Sequence, residues 1–267
     1  MQRKPAVAGQ FYPGEESELR QLVEGLLVGT DEQEAALGIV SPHAGYIYSG
    51  AIAGRTFARV KVPRRVIILG PNHHAFSHPA ALFPPGSWQT PLGEVPIDEQ
   101  LTAQLLRESP LLVTDPLTHR YEHALEVQLP FIQVRNPQAS IVPICLGFSS
   151  LEKLLAIGQA LARAIAASPE PVLMVASNDM SHFETGEVGR KKDDQALERV
   201  LALDPEGLWQ TVRNHRISMC GVVPVTVMLA AARQLGASRA TLVGYSNSGD
   251  VTGDQSQVVG YAGVVVR

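Results

Sequence analysis

The sequence predicts an α/β fold, a single-domain three-layer αβα sandwich around a mixed β-sheet. Short apolar runs typical of buried strands alternate with amphipathic, helix-like runs along all 267 residues. No Ser/Gly linker, internal repeat or low-complexity tract divides the chain. Proline and glycine between residues 84 and 93 indicate a hairpin, so the sheet is expected to be mixed. Residues 1–267 are therefore interpreted as one domain.

Spacing and capping signals locate the elements of the first half. Apolar residues at helical spacing predict helices over 15–27, 51–60 and 98–107, with Ser49 as N-cap of the second. Continuous apolar runs predict buried strands over 36–41 and 66–69.

The second half continues the alternation. Its predicted helices are 123–134 (interrupted near Pro130), one that runs from a Ser149/Glu152 capping box to about 167, 191–203 and 223–234. Its predicted strands are 140–146, 172–176, 240–244 and 258–266. Residues 246–254, rich in Gly, Ser and Asp, are predicted to form a loop.

Composition excludes several classes of protein. The hydrophobic fraction of 45% and charged fraction of 18% are those of a globular protein and argue against disorder. The net charge is −4 and the cationic residues are scattered, which argues against a nucleic-acid partner. Residues 1–10 lack a signal-peptide core, and the most apolar helical run, 154–167, is too short to cross a bilayer. With only two cysteines, the sequence predicts a cytoplasmic protein without a membrane partner.

Ionisable residues follow three of the predicted strands. His43 follows the strand that ends at Ser41, His73 follows the strand over 66–69, and Asp179 and His182 follow 172–176. In open α/β sheets the carboxyl ends of the strands form the ligand crevice, so these groups are expected to share one edge. His43 and His73 could then converge on one metal ion.

Each of these residues also has a purely structural interpretation. His43 could be a buried core histidine whose ring is hydrogen-bonded to the backbone. His73 and His74 point in opposite directions on extended backbone, so at most one faces the pocket. Asp179 and His182, three residues apart, would share one side of a helical turn, where the carboxylate could orient the imidazole; the alternative is an Asp that merely caps a helix.

The cysteines and the remaining histidines divide between core, surface and site. Cys145 lies within an apolar strand and is expected in the core, whereas Cys220 is either a small core residue or a thiolate ligand. His123, at a predicted helix start, is expected to support the site, and His78 and His215 are expected in exposed segments. The sequence contains no phosphate-binding or dinucleotide-binding glycine motif, no C-x-x-C pair and no H-E-x-x-H motif.

Short motifs occur in a fixed order along nearly the whole chain, in segments 6–13, 41–50, 68–74, 90–93, 122–130, 177–183, 219–221 and 261–263. Together these motifs resemble those of one known family, the Memo family (mediator of cell motility), called AmmeMemoRadiSam system protein B in prokaryotes.

The resemblance implies a fold similar to that of class III extradiol dioxygenases, which hold non-haem iron. It implies a metal site made by His43, His73 and Cys220 that holds iron or copper, in a pocket that also contains Asp179 and His182. Zinc is the alternative ion, because a thiolate ligand also suits it. The predicted catalytic residues are His182, as general acid or base, and Asp179, which orients it. His123, Tyr46 and His74 are predicted to support the site or to contact the substrate. The resemblance also implies an association with an Ammecr-type protein and a radical SAM protein, and in animals with phosphotyrosine-containing segments.

One departure from the dioxygenase pattern bears on the reaction. A dioxygenase of that fold uses two histidines and a carboxylate, whereas the third position here is expected to be Cys220, a softer ligand. Three functions therefore stay open from the sequence. They are a metal-dependent redox or oxygenase-like enzyme, a non-enzymatic module that binds an acidic or phosphorylated peptide or a small ligand, and an accessory component of a radical SAM system.

Overall fold

A computed structural model describes residues 1–29, 33–74 and 78–267. Ten helices are found in these ranges: α1 (Glu16–Leu26), α2 (Tyr46–Ala58), α3 (Glu99–Glu108), α4 (His123–Glu126), α5 (Leu129–Arg135), α6 (Leu151–Ala166), α7 (Gly186–Leu201), α8 (Pro205–Asn214), α9 (Val222–Gln234) and α10 (Gly249–Thr252). The strands within the same ranges are β1 (Gln2–Arg3), β2 (Gly38–Ser41), β3 (Arg65–Pro71), β4 (Ala80–Leu82), β5 (Ser87–Thr90), β6 (Gly93–Pro96), β7 (Leu112–Thr114), β8 (Ser140–Leu146), β9 (Val172–Ser177), β10 (Asp179–Glu184), β11 (Ala240–Asn247) and β12 (Val258–Val266).

The main sheet is mixed, as predicted. Its central strands β2, β9, β3 and β8 are parallel neighbours in that order. The strands β12 and β4 pair antiparallel with β2 and β8 respectively, and β7 pairs parallel with β4 at one edge. At the other end β12 also pairs antiparallel with β10 and β11. The parallel centre places the carboxyl ends of β2, β3 and β9 at one edge of the sheet.

Both faces of the sheet are buried, which confirms the three-layer sandwich. Successive strand residues alternate between two cores: Ile67 and Leu69 belong to one, and Val66 and Ile68 belong to the other. Helices α6, α8 and α9 cover the first core, and α1, α2 and α5 cover the second. Strands covered on both faces read as continuous apolar runs, which is why they were visible in the sequence.

The N-terminal residues are held onto the domain by a small second sheet. Strand β1 pairs with β5, and β5 and β6 form the predicted hairpin. The buried guanidinium of Arg3 lies 2.6 Å from a carboxylate oxygen of Glu126 and 4.1 Å from the ring centroid of Trp88. Glu126 also accepts hydrogen bonds from the hydroxyl of Tyr12 and from two backbone amides, those of residues 6 and 7.

Two predicted helix starts are wrong. Helix α2 begins at Tyr46, and Ser49 lies inside it, where its hydroxyl donates to the carbonyl of Ala44 instead of capping the helix. The N-cap of α6 is Ser150 instead of Ser149, since the Ser150 hydroxyl accepts from the amide of Lys153.

Other elements differ from the prediction in number or length. Helix α8 was not predicted, and residues 246–254 are not simply a loop, because β11 continues to Asn247 and α10 follows. The predicted helix over 123–134 is two helices, with Pro130 in the first turn of the second, where its missing N–H costs no hydrogen bond. Among the described residues, no helix is long and apolar enough to span a membrane.

Candidate metal centre

The edge predicted from chain order exists. Strands β2 and β9 end in register at Ser41 and Ser177, and β3 runs beside β9. His43 and His73 follow β2 and β3, and their ring centroids are 5.4 Å apart. The prediction that the groups after these strands lie together is confirmed.

A third histidine completes the cluster. Three ring nitrogens, one each from His43, His73 and His123, lie within 4.8 Å of one another. This arrangement could hold a metal ion. The ring of His123, the first residue of α4, stacks on His73 at a centroid distance of 4.7 Å and lies 5.6 Å from His43. His123 was expected to support the site, and the geometry places its imidazole in the same group as the two strand-end histidines.

Glu122, which was not among the predicted site residues, orients His73 through the ring nitrogen Nδ1. Its Oε1 lies 2.9 Å from Nδ1 of His73, and its Oε2 accepts from the backbone amide of His73 at 2.8 Å. The same carboxylate caps α4 by accepting from the amide of Ala124, and it lies 3.6 Å from Nδ1 of His123. With Nδ1 of His73 bonded to the carboxylate, Nε2 is left to face the cluster, as in metal sites where a carboxylate holds the far side of the imidazole.

Hydrogen bonds of Ser177 fix the tautomer of His43. The Ser177 hydroxyl lies 2.6 Å from the carbonyl of Ala124, to which it must donate, so its oxygen accepts from its other partners. These are Nε2 of Gln128 at 3.0 Å and Nδ1 of His43 at 2.9 Å. Nδ1 of His43 therefore carries the proton, and the lone pair on Nε2 is available to a ligand.

Electrostatics keep two of the three imidazoles neutral. Burial lowers the pKa of His43 to about 3, helped by the neighbouring charge of His73. Burial likewise lowers the pKa of His123 to about 4. Burial also works against protonation of His73, but its hydrogen bond and proximity to Glu122 outweigh this and raise its pKa. Burial opposes ionisation of Glu122, yet the contacts with His73 lower its pKa to about 2.

Cys220 contacts the cluster through His43. Its Sγ lies 3.1 Å from Nε2 of His43 and accepts from the amide of Asp179 at 3.3 Å. The sulfur is not one of the three atoms grouped within 4.8 Å of one another, and burial raises the pKa of the thiol. Gly221 permits this approach, because a Cβ there would lie 2.4 Å from Cβ of Asn178. Cys145 is a buried core residue whose thiol donates to a backbone carbonyl.

Asp179 lies at the cluster and contacts His43, and within the described part of the chain it makes no hydrogen bond with His182. Its Oδ1 accepts from the backbone amide of His43 at 2.7 Å, and its Oδ2 lies 3.9 Å from Nε2 of His43. Burial raises the pKa of Asp179 to about 6, although the hydrogen bond from His43 opposes that shift. The carboxylate therefore positions His43.

The helical turn expected for residues 179–182 is wrong, because Asp179–Glu184 is strand β10. Its pairing with β12 shifts register on both sides of His182. Nδ1 of His182 lies 2.8 and 3.0 Å from the carbonyls of Met180 and Ser218, so it carries the proton and leaves Nε2 as the acceptor. Phe183, which follows, is 76% exposed and has a φ of 60°, a strained backbone conformation for an aromatic residue.

The other predicted residues lie around the centre. The hydroxyl of Tyr46 donates to the carbonyl of Val127, and its ring packs in the second core. Nε2 of the exposed His74 lies 3.2 Å from the carbonyl of Tyr121, and His78 and His215 are exposed as expected. His74 thus lies outside the three-histidine group, on the segment that also carries His73.

The donor set suits a transition metal. Three imidazoles, with a thiol and a carboxylate beside them, match the nitrogen and sulfur preferences of iron, copper and zinc, and not the all-oxygen preference of magnesium or calcium. The hydrogen bonds of Glu122 and Ser177 orient two of the rings in advance.

Comparisons with known proteins agree with the resemblance seen in the motifs. A family model described as Memo-like protein matches residues 3–265. A MEMO1 family protein of Methanopyrus kandleri is 40% identical, over 100% of this chain and 99% of its own length. MEMO1 family proteins of Aquifex aeolicus and Methanosarcina barkeri are 41% and 40% identical over 98% and 99% of this chain, and over 98% and 100% of their own lengths. The chain belongs to the Memo-like protein family.

Proposed function

We propose that this protein binds one transition-metal ion through His43, His73 and His123 and uses it in a redox or oxygenase-like reaction on a small substrate. The observation that carries the proposal is the convergence of three imidazole nitrogens within 4.8 Å of one another. Iron or copper is the proposed ion, with zinc as the alternative. Iron or copper would supply a redox couple and open coordination positions, whereas zinc would supply only a Lewis acid.

The protein's own groups would orient and protonate the substrate. His182 is proposed as the general acid or base, since its proton is fixed on Nδ1 and Nε2 is the remaining acceptor. Asp179 is proposed to hold His43 in place through its backbone amide. Cys220, 3.1 Å from Nε2 of His43, is proposed as an additional ligand when its thiol ionises.

The first experiment is metal binding. Protein prepared anaerobically is analysed for bound elements and then titrated, after metal removal, with Fe(II), Cu(I) and Zn(II). We expect one equivalent for the wild type, affinity lowered by more than about tenfold in His43→Ala and His123→Ala, and unchanged affinity in the matched control His74→Ala. The proposal is overturned if none of the three ions binds stoichiometrically, or if His74→Ala and His123→Ala have equal affinities for the ion.

The role of Cys220 is tested separately. If the thiolate is a ligand, Cu(II)- or Co(II)-loaded protein shows a sulfur-to-metal charge-transfer absorption that disappears in Cys220→Ser. If His43, His73 and His123 suffice, Cys220→Ser binds the ion with wild-type affinity and the loaded protein has no such band.

Catalysis is tested by oxygen uptake with catechol-like substrates. His182→Gln is expected to lower the rate by about 10²–10⁴-fold while metal content stays constant. A protein that binds the ion stoichiometrically but consumes no oxygen with any substrate would instead support a non-enzymatic binding role.

A further inference from the structure

A cleft of about 390 Å³ opens beside the metal centre. Cys220 lines one part of it, and Pro71 and Asn72, which directly precede His73, line another. Because Sγ of Cys220 is 3.1 Å from Nε2 of His43, a molecule in the cleft lies next to the cluster. The volume falls within the range of about 300–1,000 Å³ found for small-ligand sites.

The floor of the cleft is apolar. Its lining includes the buried side chains of Leu146, Ile217, Met219 and Val223. These side chains offer no hydrogen-bond donor or acceptor except the weak thioether sulfur. The floor therefore favours a hydrocarbon or aromatic body over a sugar or a nucleotide.

The rim of the cleft is cationic. Arg213 and Arg216 are both exposed and both line the cleft. Among the described residues no carboxylate lies within 4.0 Å of either guanidinium, whereas the surface arginines Arg163, Arg190 and Arg233 each have one. The guanidinium of Arg213 lies 5.6 Å from the ring of Phe148, which is 71% exposed at the same rim, and 5.5 Å from Trp209.

The backbone at the rim is strained in a way that turns the chain sharply. Arg216 has a φ of 51°, in the left-handed region that non-glycine residues rarely adopt. Ile217, the next residue, is buried on the floor. The turn therefore places an arginine at the rim directly before an apolar residue on the floor.

We propose that this cleft binds a small amphiphilic anion, with its apolar body on the floor beside Cys220 and its single carboxylate or phosphate bound by Arg213 and Arg216. Guanidinium groups form strong, paired hydrogen bonds with both kinds of anion. An acidic lining would oppose such a ligand, and no Asp or Glu is found among the described residues that line the cleft. The inference rests on the proposed function only in treating the cleft as the space for the reacting molecule.

The test measures binding to metal-free protein, so that its outcome is independent of metal affinity. Octanoate is titrated into the wild type while the fluorescence of Trp209, beside Phe148 at the rim, is followed. The matched neutral probe is octanamide, and octyl phosphate is the second anionic probe. We expect both anions to bind at least tenfold more tightly than octanamide, with affinity that falls as salt is added. The tighter anion identifies the head group.

Variants locate the site. Arg213→Gln combined with Arg216→Gln is expected to weaken octanoate binding at least tenfold, and Phe148→Asp is expected to weaken it by placing a negative charge at the rim. The matched control is Arg239→Gln, since Arg239 is an exposed arginine that directly precedes β11, at the opposite edge of the sheet from His43. Thermal unfolding of each variant checks that it is folded.

Three outcomes overturn the inference: no binding of either anion, equal affinity for octanoate and octanamide, or equal losses in Arg239→Gln and the double variant. If the protein binds no metal but binds octanoate as expected, the proposed function fails and the anion site stands. If the protein binds metal normally but has no affinity for octanoate, the anion site fails and the proposed function stands.

Discussion

Two buried carboxylates hold the strand-end histidines from different sides. Glu122 bonds Nδ1 of His73, on the side of the ring away from the cluster, and so fixes which nitrogen is free. Asp179 bonds the backbone amide of His43, while its second oxygen lies 3.9 Å from Nε2 of the same residue. The sequence presented a carboxylate and a thiolate as alternative third ligands. In the structure both groups lie beside Nε2 of His43: the carboxylate of Asp179, a hard donor, and the sulfur of Cys220, a soft one.

Removal of the charge on Glu122 tests its orienting role. In Glu122→Gln the side-chain oxygen can still accept from the backbone N–H of His73, but a neutral carboxamide holds the imidazole less strongly than a carboxylate does. We expect metal affinity to fall by about 10–100-fold, measured by competition with a chromophoric chelator. The control is Glu108→Gln, whose carboxylate pairs with Arg163 at the surface. Unchanged affinity in Glu122→Gln would show that the carboxylate has only a capping role.

His119 makes stability depend on pH. It is fully buried, its Nε2 lies 3.0 Å from the carbonyl of Ala81, and its Nδ1 has no hydrogen-bond partner among the described residues. Burial, and then the charge of Arg3, lower its pKa from 6.5 to about 4. Between these two pH values the unfolded chain binds a proton at His119 that the folded chain does not. The contribution of His119 to the free energy of unfolding is therefore fully present above pH 6.5 and is lost as the pH falls toward 4.

The variant His119→Gln isolates this contribution, because the amide can still donate to Ala81. Between pH 7 and pH 5 the wild type should lose about 2 kcal/mol more of its free energy of unfolding than the variant does. Urea unfolding of the metal-free proteins at the two pH values measures this difference. Equal losses would mean that His119 titrates normally in the folded protein.

At the scale of elements, the start of α9 places Cys220 against the end of β9. The amide of Gly221 donates to Oδ1 of Asn178 at 3.0 Å, and a Cβ on Gly221 would lie 2.4–2.6 Å from three atoms of Asn178. No side chain fits between this loop and the strand end. The glycine therefore sets how closely the sulfur can approach His43.

A methyl group at this position should push the loop away. We expect Gly221→Ala to lower the free energy of unfolding by about 1–3 kcal/mol, because the backbone of α9 must shift. In contrast, Gly25→Ala, in α1, where a Cβ meets nothing within 4 Å, should be neutral or slightly stabilising. Urea unfolding of both variants tests the pair, and equal effects would argue against a close approach.

At the scale of the whole molecule, the sequence revealed what local patterns encode. Strands β8 and β12 were predicted with their observed bounds, since each is a long apolar run. Helix α8 was not predicted, although Asp204 caps it and Pro205 is its first residue, which are both local signals of a helix start. Strands of three residues, such as β4 and β7, are too short for periodicity to show.

The candidate site, like the fold, was predicted from the sequence only in part. The shared edge followed from chain order, because parallel strands place their carboxyl ends together. The contact of Glu122 with His73 could not be predicted, since the two residues are 49 positions apart and meet only because the loop before α4 returns to the end of β3. The acidic residue directly before His123 was the only local signal, and it equally suits an ordinary helix cap.

The buried pair of Arg3 and Glu126 joins the N-terminal residues to the element that carries His123. Glu126 is the last residue of α4, and its carboxylate accepts from Arg3, Tyr12 and two backbone amides. The ring of Phe11 lies 4.9 Å from that of His123, so the N-terminal segment also packs against the three-histidine cluster. The N-terminal segment is thus part of what holds α4 in place.

Neutralising Glu126 should therefore affect both the fold and the site. Glu126→Gln leaves the guanidinium of Arg3 buried without its counter-charge, which is expected to cost about 3–5 kcal/mol of folding free energy. Metal affinity should fall as well, measured at a temperature where circular dichroism shows the variant to be folded, because α4 positions His123. The matched control is Glu206→Gln, which breaks an exposed ion pair with Arg233 and should leave both quantities unchanged. Loss of stability with unchanged metal affinity would show that α4 is held by the sheet alone and that the N-terminal segment is independent of the centre.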